Sequence, residues 1–182
     1  WDPYRELKAA GEYTGHHKIN SHACFDTDGT ILLIHPFFAY LWTANAFNPS
    51  CLSFEIMGNF EGQLGKGNWY KPDKFGRHRP TAIQLIRARQ MTAWLCAPDF
   101  GPGDDELPKP LREWRLACQT EGAELKWVNP HRGAADDRDN DPGSEVWGQV
   151  AQWSIAEGLL VEGPLAGKCR PTPPEWRESV AA

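Results

Sequence analysis

The stretch Cys51-Leu52-Ser53-Phe54-Glu55-Ile56-Met57 alternates between two faces until Gly58-Asn59 breaks the pattern. A period of two places Leu52, Phe54 and Ile56 on one face and Ser53 and Glu55 on the other. It predicts a strand with Glu55 turned away from its most apolar layer. On the N-terminal side, Ile19 to Phe25 and Thr30 to Ile34 are apolar runs flanking Asp26-Thr27-Asp28-Gly29, the signal of an antiparallel hairpin. On the C-terminal side, residues 62–80 hold four Gly, two Pro, three Lys and two Arg, too many breakers for helix or strand, and predict an exposed loop. Thr81 then caps a helix to about Cys96, with Ile83, Ile86, Gln90 and Trp94 on one face and Leu85, Ala88, Thr92 and Leu95 on the next.

Further out, a helix is expected over 4–10 ahead of Gly11, another from Leu111 to Gly122, and a short strand over 125–128. A last helix, capped by Ser144, carries Val146, Val150 and Trp153 and ends at Gly158. Pro164, Pro171, Pro173 and Pro174 make 161–182 a Pro-rich tail, expected as an extended wrap or a linker.

A chain of 182 residues fits one domain, and 41% hydrophobic residues with nine Trp supply the apolar area for a core. A net charge of −5 argues against nucleic acid as a partner. No run approaches the roughly 20 apolar residues of a membrane span. Trp1-Asp2-Pro3 lacks the features of a signal peptide, so neither anchoring nor export is expected. The five Cys have no C-x-x-C spacing and an odd count, which points to reduced, mostly buried thiols and synthesis in a reducing cytoplasm.

Two segments carry candidate chemistry. His131 follows a predicted strand, and Asp141 comes ten residues later in Asp141-Pro142-Gly143. A His leaving a strand and an Asp held by a Pro-Gly turn can converge at one sheet edge, where imidazole and carboxylate form a partial zinc ligand set. The alternative is a solvated His beside an Asp that caps the helix at 144. Glu55, a carboxylate in mid-strand, is either a general base or a solvent-facing residue. Loop 62–80 also concentrates Lys66, Trp69, Tyr70, Lys71, Lys74, Arg77, His78 and Arg79, either a glycan-binding wall or a solvated surface.

Several segments in order resemble one family: Ser21-His22-Ala23-Cys24-Phe25-Asp26-Thr27-Asp28-Gly29-Thr30-Ile31, Pro36, Trp42-Thr43-Ala44, Asn48 through Phe60, Thr81 with Gln84, and His131-Arg132 through Gly143. Together they look like the zinc-dependent N-acetylmuramoyl-L-alanine amidase and peptidoglycan recognition superfamily, over residues 19 to about 153. Met57-Gly58-Asn59-Phe60 is similar to the recognition branch, and Glu55 to the phage endolysin branch.

The resemblance implies an α/β domain over 1–160, a central mixed β-sheet flanked by helices, with 51–57 as a central strand. It implies a zinc held by His131 and Asp141, Glu55 as acid/base, and a peptidoglycan or muropeptide substrate cut between muramic acid and L-alanine. Trp42 and Asn48 match groove positions, and Trp69 and Tyr70 would add to the substrate wall. Arg138 stands near the position where active relatives often carry an oxyanion-stabilising Lys. The family's first ligand, a His ending a strand ahead of the opening helix, is expected upstream of Trp1 or at His16, His17 or His22. A monomer acting on the bacterial cell wall is expected; the alternatives are a non-catalytic recognition module and a structural domain of a larger assembly.

Overall fold

The computed structural model describes residues 21–35, 41–71, 75–96 and 125–177. The helices expected over 4–10 and 111–122, together with His16, His17, Pro36, Lys74 and Cys118, lie outside the described residues. Strands β1 (Ala23–Phe25) and β2 (Ile31–Leu33) form the expected hairpin, in register Ala23 with Leu33 and Phe25 with Ile31. Its turn closes through Gly29 N–H to Asp26 O (2.9 Å) and Asp26 N–H to Thr30 O (2.9 Å), with Gly29 at φ +86°. A Cβ at that position would collide with Ile83, so glycine is needed for both conformation and packing.

Strand β3 (Phe54–Ile56) pairs in parallel with β1, placing Glu55 beside Cys24. The sheet is therefore mixed, in the order β2-β1-β3. Among the described residues β3 is an edge strand, which corrects its expected central position; pairing partners are non-local and the alternation of side chains does not encode them. A second, two-stranded parallel sheet joins β4 (Trp127–Val128) to β5 (Val161–Glu162).

Helix α1 (Ala82–Cys96) lies on the first sheet and buries Gln84, Ala88, Met91, Thr92 and Leu95. The core joins Ala23, Phe25, Ala88, Met91 and Leu95, with Phe54 and Ile56 packed on it and the Phe25 and Phe54 rings edge to face at 5.7 Å. Of the two expected faces, Ala88, Thr92 and Leu95 are buried and Trp94 packs on the core, whereas Ile86 and Gln90 are exposed. Gln84 is wholly buried and donates from Nε2 to the carbonyls of Phe25 and Met57, both at 3.0 Å. Thr81 and Gln84 form a reciprocal capping box: Thr81 N–H donates to Gln84 Oε1 (2.9 Å) and Gln84 N–H to Thr81 Oγ1 (3.2 Å).

The helix expected from Ser144 is built in three parts: α2 (Ser144–Val146), a π-helical stretch (Trp147–Gln152) and α3 (Trp153–Ala156). Gly158 (φ +71°) follows its end. Gly143, not Ser144, is the N-cap; the Ser144 hydroxyl accepts the Leu64 amide at 2.8 Å, tying the helix start to the 61–70 loop. Of the wrap and the linker expected for the Pro-rich end, segment 161–177 forms the wrap and is part of the fold. It contributes β5 and α4 (Pro174–Arg177), whose Trp176 is 1% exposed and packs on Trp147 and Ala151. One aromatic anchor outweighs the prolines around it. The described cysteines, Cys24, Cys51, Cys96 and Cys169, are free thiols, and among the described residues no helix is long and apolar enough to cross a membrane.

Candidate active site

Because Phe54 and Ile56 face the core, strand parity turns Glu55 the other way, into a cleft of about 1030 Å³ whose walls include Trp42, Tyr70, His131, Arg138 and Asp141. Water reaches the carboxylate through the cleft mouth, while protein crowds it on the flanks. Burial, then the negative charge of Asp141, push its pKa up to about 7, against the lowering pull of His131 and Arg138. That value suits proton transfer near neutrality.

His131 opens a 3-10 turn (His131–Gly133) directly after β4 and Pro130. Its Nδ1 lies 3.0 Å from Asp141 Oδ2, and the Arg132 amide donates to the Asp141 carbonyl at 3.2 Å. The Asp141 carboxylate thus meets the imidazole instead of capping the helix. Gly143 allows this approach: its φ is +91°, and a Cβ there would collide with the Glu61 carbonyl oxygen. Burial alone would lower the His131 pKa, but the hydrogen bond and charge of Asp141, with Glu55 and Asp137 behind them, raise it.

Arg138 sits with its guanidinium 5.4 Å from the Tyr70 ring centre, and Lys71 Nζ is 5.3 Å from the same ring. Trp42 is 72% exposed at the cleft wall. The remaining expected residues go elsewhere. Trp69 does not line this cleft. It bridges Glu61 in antiparallel fashion, so its side chain takes the side opposite its neighbour Tyr70 and carries Arg77 at 5.9 Å. Asn48 is 5% exposed and its Oδ1 accepts the amides of Thr43 (2.9 Å) and Ala44 (2.6 Å), so it shapes the loop behind Trp42 and does not itself line the cleft. His22 is 1% exposed and its Nδ1 is held by the Ser53 amide at 3.1 Å, a sheet residue and not a ligand candidate.

His131 and Asp141 offer zinc one nitrogen and one oxygen donor. Donors about 2.0–2.1 Å from a tetrahedral ion stand roughly 3.3 Å apart, and the pair's 3.0 Å is close to that. The two residues fit the ion as part of a set. Among the described residues no three His, Cys, Asp or Glu side chains are grouped so as to hold a metal ion, so the set needs a further donor.

Two residues that shape the site were not singled out from the sequence. Glu61 is nearly buried and accepts the amides of Gly65 (2.8 Å) and Gly67, folding the glycine-rich loop around its carboxylate. Trp176 carries the Arg132 guanidinium 5.2 Å above its ring. An acidic residue ahead of closely spaced glycines, and a lone Trp among prolines, were the available signals. No family model, curated protein or solved structure matches this chain.

Proposed function

We propose that this chain is a zinc-dependent N-acetylmuramoyl-L-alanine amidase of the endolysin type, hydrolysing the amide between the muramyl lactyl group and L-alanine of peptidoglycan. The observation that carries the reading is the meeting of Glu55, His131 and Asp141 in one cleft, from a strand and a loop far apart in the sequence. The mixed sheet with α1 packed on it is compatible with the layout of that family.

His131 and Asp141 would hold the ion, with His16, His17 or a His preceding Trp1 as the third donor. When bound, zinc supplies Lewis acidity at the scissile carbonyl and lowers the pKa of water to about 7. Glu55 takes the proton of the attacking water and passes it to the departing L-alanine nitrogen, a cycle favoured by a carboxyl poised at about 7. Arg138 brings a permanent cation to the developing oxyanion, and its stack on Tyr70 restricts where that cation stands. Trp42 offers an exposed ring to a sugar face.

Release of stem peptide from purified sacculi, measured with bound zinc, tests the proposal. His131→Ala should lose zinc and activity together, whereas Glu55→Gln should keep zinc and fold and lose roughly 10² or more in rate. Glycan binding without turnover or zinc would replace the enzyme with a recognition module. Normal hydrolysis by Glu55→Gln would make Glu55 a surface residue.

A further inference from the structure

We infer that Arg132, anchored by the segment 163–177, is a positioning residue that holds the His131 and Asp141 side chains together; its link to metal binding rests on the function proposed above. The two side chains are separated by a loop rich in acid, with Asp136, Asp137 and Asp139 between them. Like charges would spread such a loop, and a ligand pair has to be held within about 0.5 Å to work.

Three ties around Arg132 oppose that spreading. Its amide donates to the Asp141 carbonyl at 3.2 Å, one peptide unit from each of the paired side chains. Its Nη1 donates to the Asp139 carbonyl, closing the far end of the loop. Its own carbonyl accepts the Arg170 amide at 3.3 Å, while Arg170 Nη1 binds the Asp139 carboxylate at 2.7 Å. Beneath them the Arg132 guanidinium lies on Trp176, which is locked against Trp147 and Ala151. Ala166 N–H to Gly133 O at 3.0 Å fastens the same turn again. The loop is therefore clamped from the C-terminal segment, and Arg132 is where the clamp reaches the pair. Lys could not replace it, because one ammonium cannot stack flat on Trp176 while reaching Asp139 through a planar fork.

The test uses the full chain and two readouts, amide hydrogen exchange by NMR and calorimetric zinc affinity. The amide at position 132 persists in an alanine variant and reports the closure onto Asp141 directly. In Arg132→Ala its exchange should accelerate about tenfold or more, and zinc affinity should fall roughly 10-fold or more, the usual cost of losing support behind a ligand. Arg170→Ala, which removes only a half-exposed ion pair and leaves the fold intact, should move both readouts in the same direction by a smaller factor. Met91→Ala, in the other core, should lower overall stability while leaving the zinc affinity of the folded protein unchanged. Wild-type exchange at position 132 in both arginine variants, or loss of zinc affinity in Met91→Ala equal to that in Arg132→Ala, would overturn the positioning role. A wild-type chain without zinc affinity would overturn the amidase reading, and the exchange measurement would still decide whether Arg132 closes the loop.

Discussion

Replacing Glu55 by Gln should stabilise this protein at alkaline pH and remove the amidase activity proposed for it, and the two effects share one cause. Burial, followed by the charge of Asp141, raises the Glu55 carboxyl from the ordinary 4.5 to about 7. A fold that favours the protonated form has its advantage in full below pH 4.5 and loses it as pH rises through about 7. Gln has nearly the same shape and remains neutral, so the variant should match the wild type near pH 4 and exceed it at pH 8. At 1.36 kcal/mol per tenfold change, a fully enclosed group shifted this far would give about 3 kcal/mol. Glu55 is open to solvent on one side, and water screens the charge. The expected difference is therefore about 1–2 kcal/mol. A domain of this size gains about 2–4 °C per kcal/mol, so thermal scans at pH 8 should show a rise of roughly 2–8 °C that vanishes near pH 4. Turnover of sacculi by the same preparation should fall by roughly 10² or more. Equal melting temperatures for variant and wild type at both pH values would show that the cleft exerts no such pressure on the carboxylate, and the catalytic reading would lose its physical basis.

Three further outcomes follow from the geometry. Asp141→Asn removes the largest influences that raise the His131 pKa, leaving Glu55 and Asp137 against the burial that lowers it, so the NMR titration midpoint of His131 should fall; because the wild-type gain is present below 6.5 and fades as pH passes the folded value, destabilisation should be greater below 6.5 than above the folded value. An unchanged midpoint would mean the two side chains do not meet in solution. Gln84→Ala should cost about 1–3 kcal/mol in urea unfolding, since it uncaps Thr81 and takes a donor from the half-buried Met57 carbonyl, while the Phe25 carbonyl keeps the Met57 amide; a loss under about 0.5 kcal/mol would contradict the bridge. Trp42→Ala should leave stability within about 0.5 kcal/mol, given its exposure, while weakening muropeptide binding; a drop in activity only in step with lost stability would remove Trp42 from the groove.

What could be read in advance was local chemistry with a short repeat. The hairpin follows from a Gly-ended turn between apolar runs, the α1 start from Thr81 and Gln84, and the aim of Glu55 from parity along β3. The approach of His131 to Asp141 was also legible, because a strand end and a Pro-Gly turn limit where each can go. Non-local choices were not. Whether β3 lies inside or at an edge depends on its partners, and whether Trp69 or Tyr70 faces the cleft depends on the bridge to Glu61. Ala88, Thr92 and Leu95 of the inward stripe of α1 were legible from helical spacing, but Gln84 was not, because it is buried with its hydrogen bonds made to two carbonyls. The resemblance places Asn48 at the groove, with a turn as its alternative, and the turn is what its side-chain oxygen serves by accepting two neighbouring amides.

The π-helical stretch at Trp147–Gln152 gives the last long helical segment two phases. Widening the ladder by one residue turns everything beyond it by about 100° relative to an unbroken α-helix. Trp147 and Ala151 seat against Trp176, Val150 between them packs on the core under α1, and the Trp153 ring beyond meets Arg89 on α1, 5.5 Å away. Arg89 also grips the Gln149 carbonyl and side chain in the middle of the wide turn. The stretch thus works as an angular coupling between two cores. Shortening it by one residue would throw one core out of alignment with the other, with every core side chain still in place.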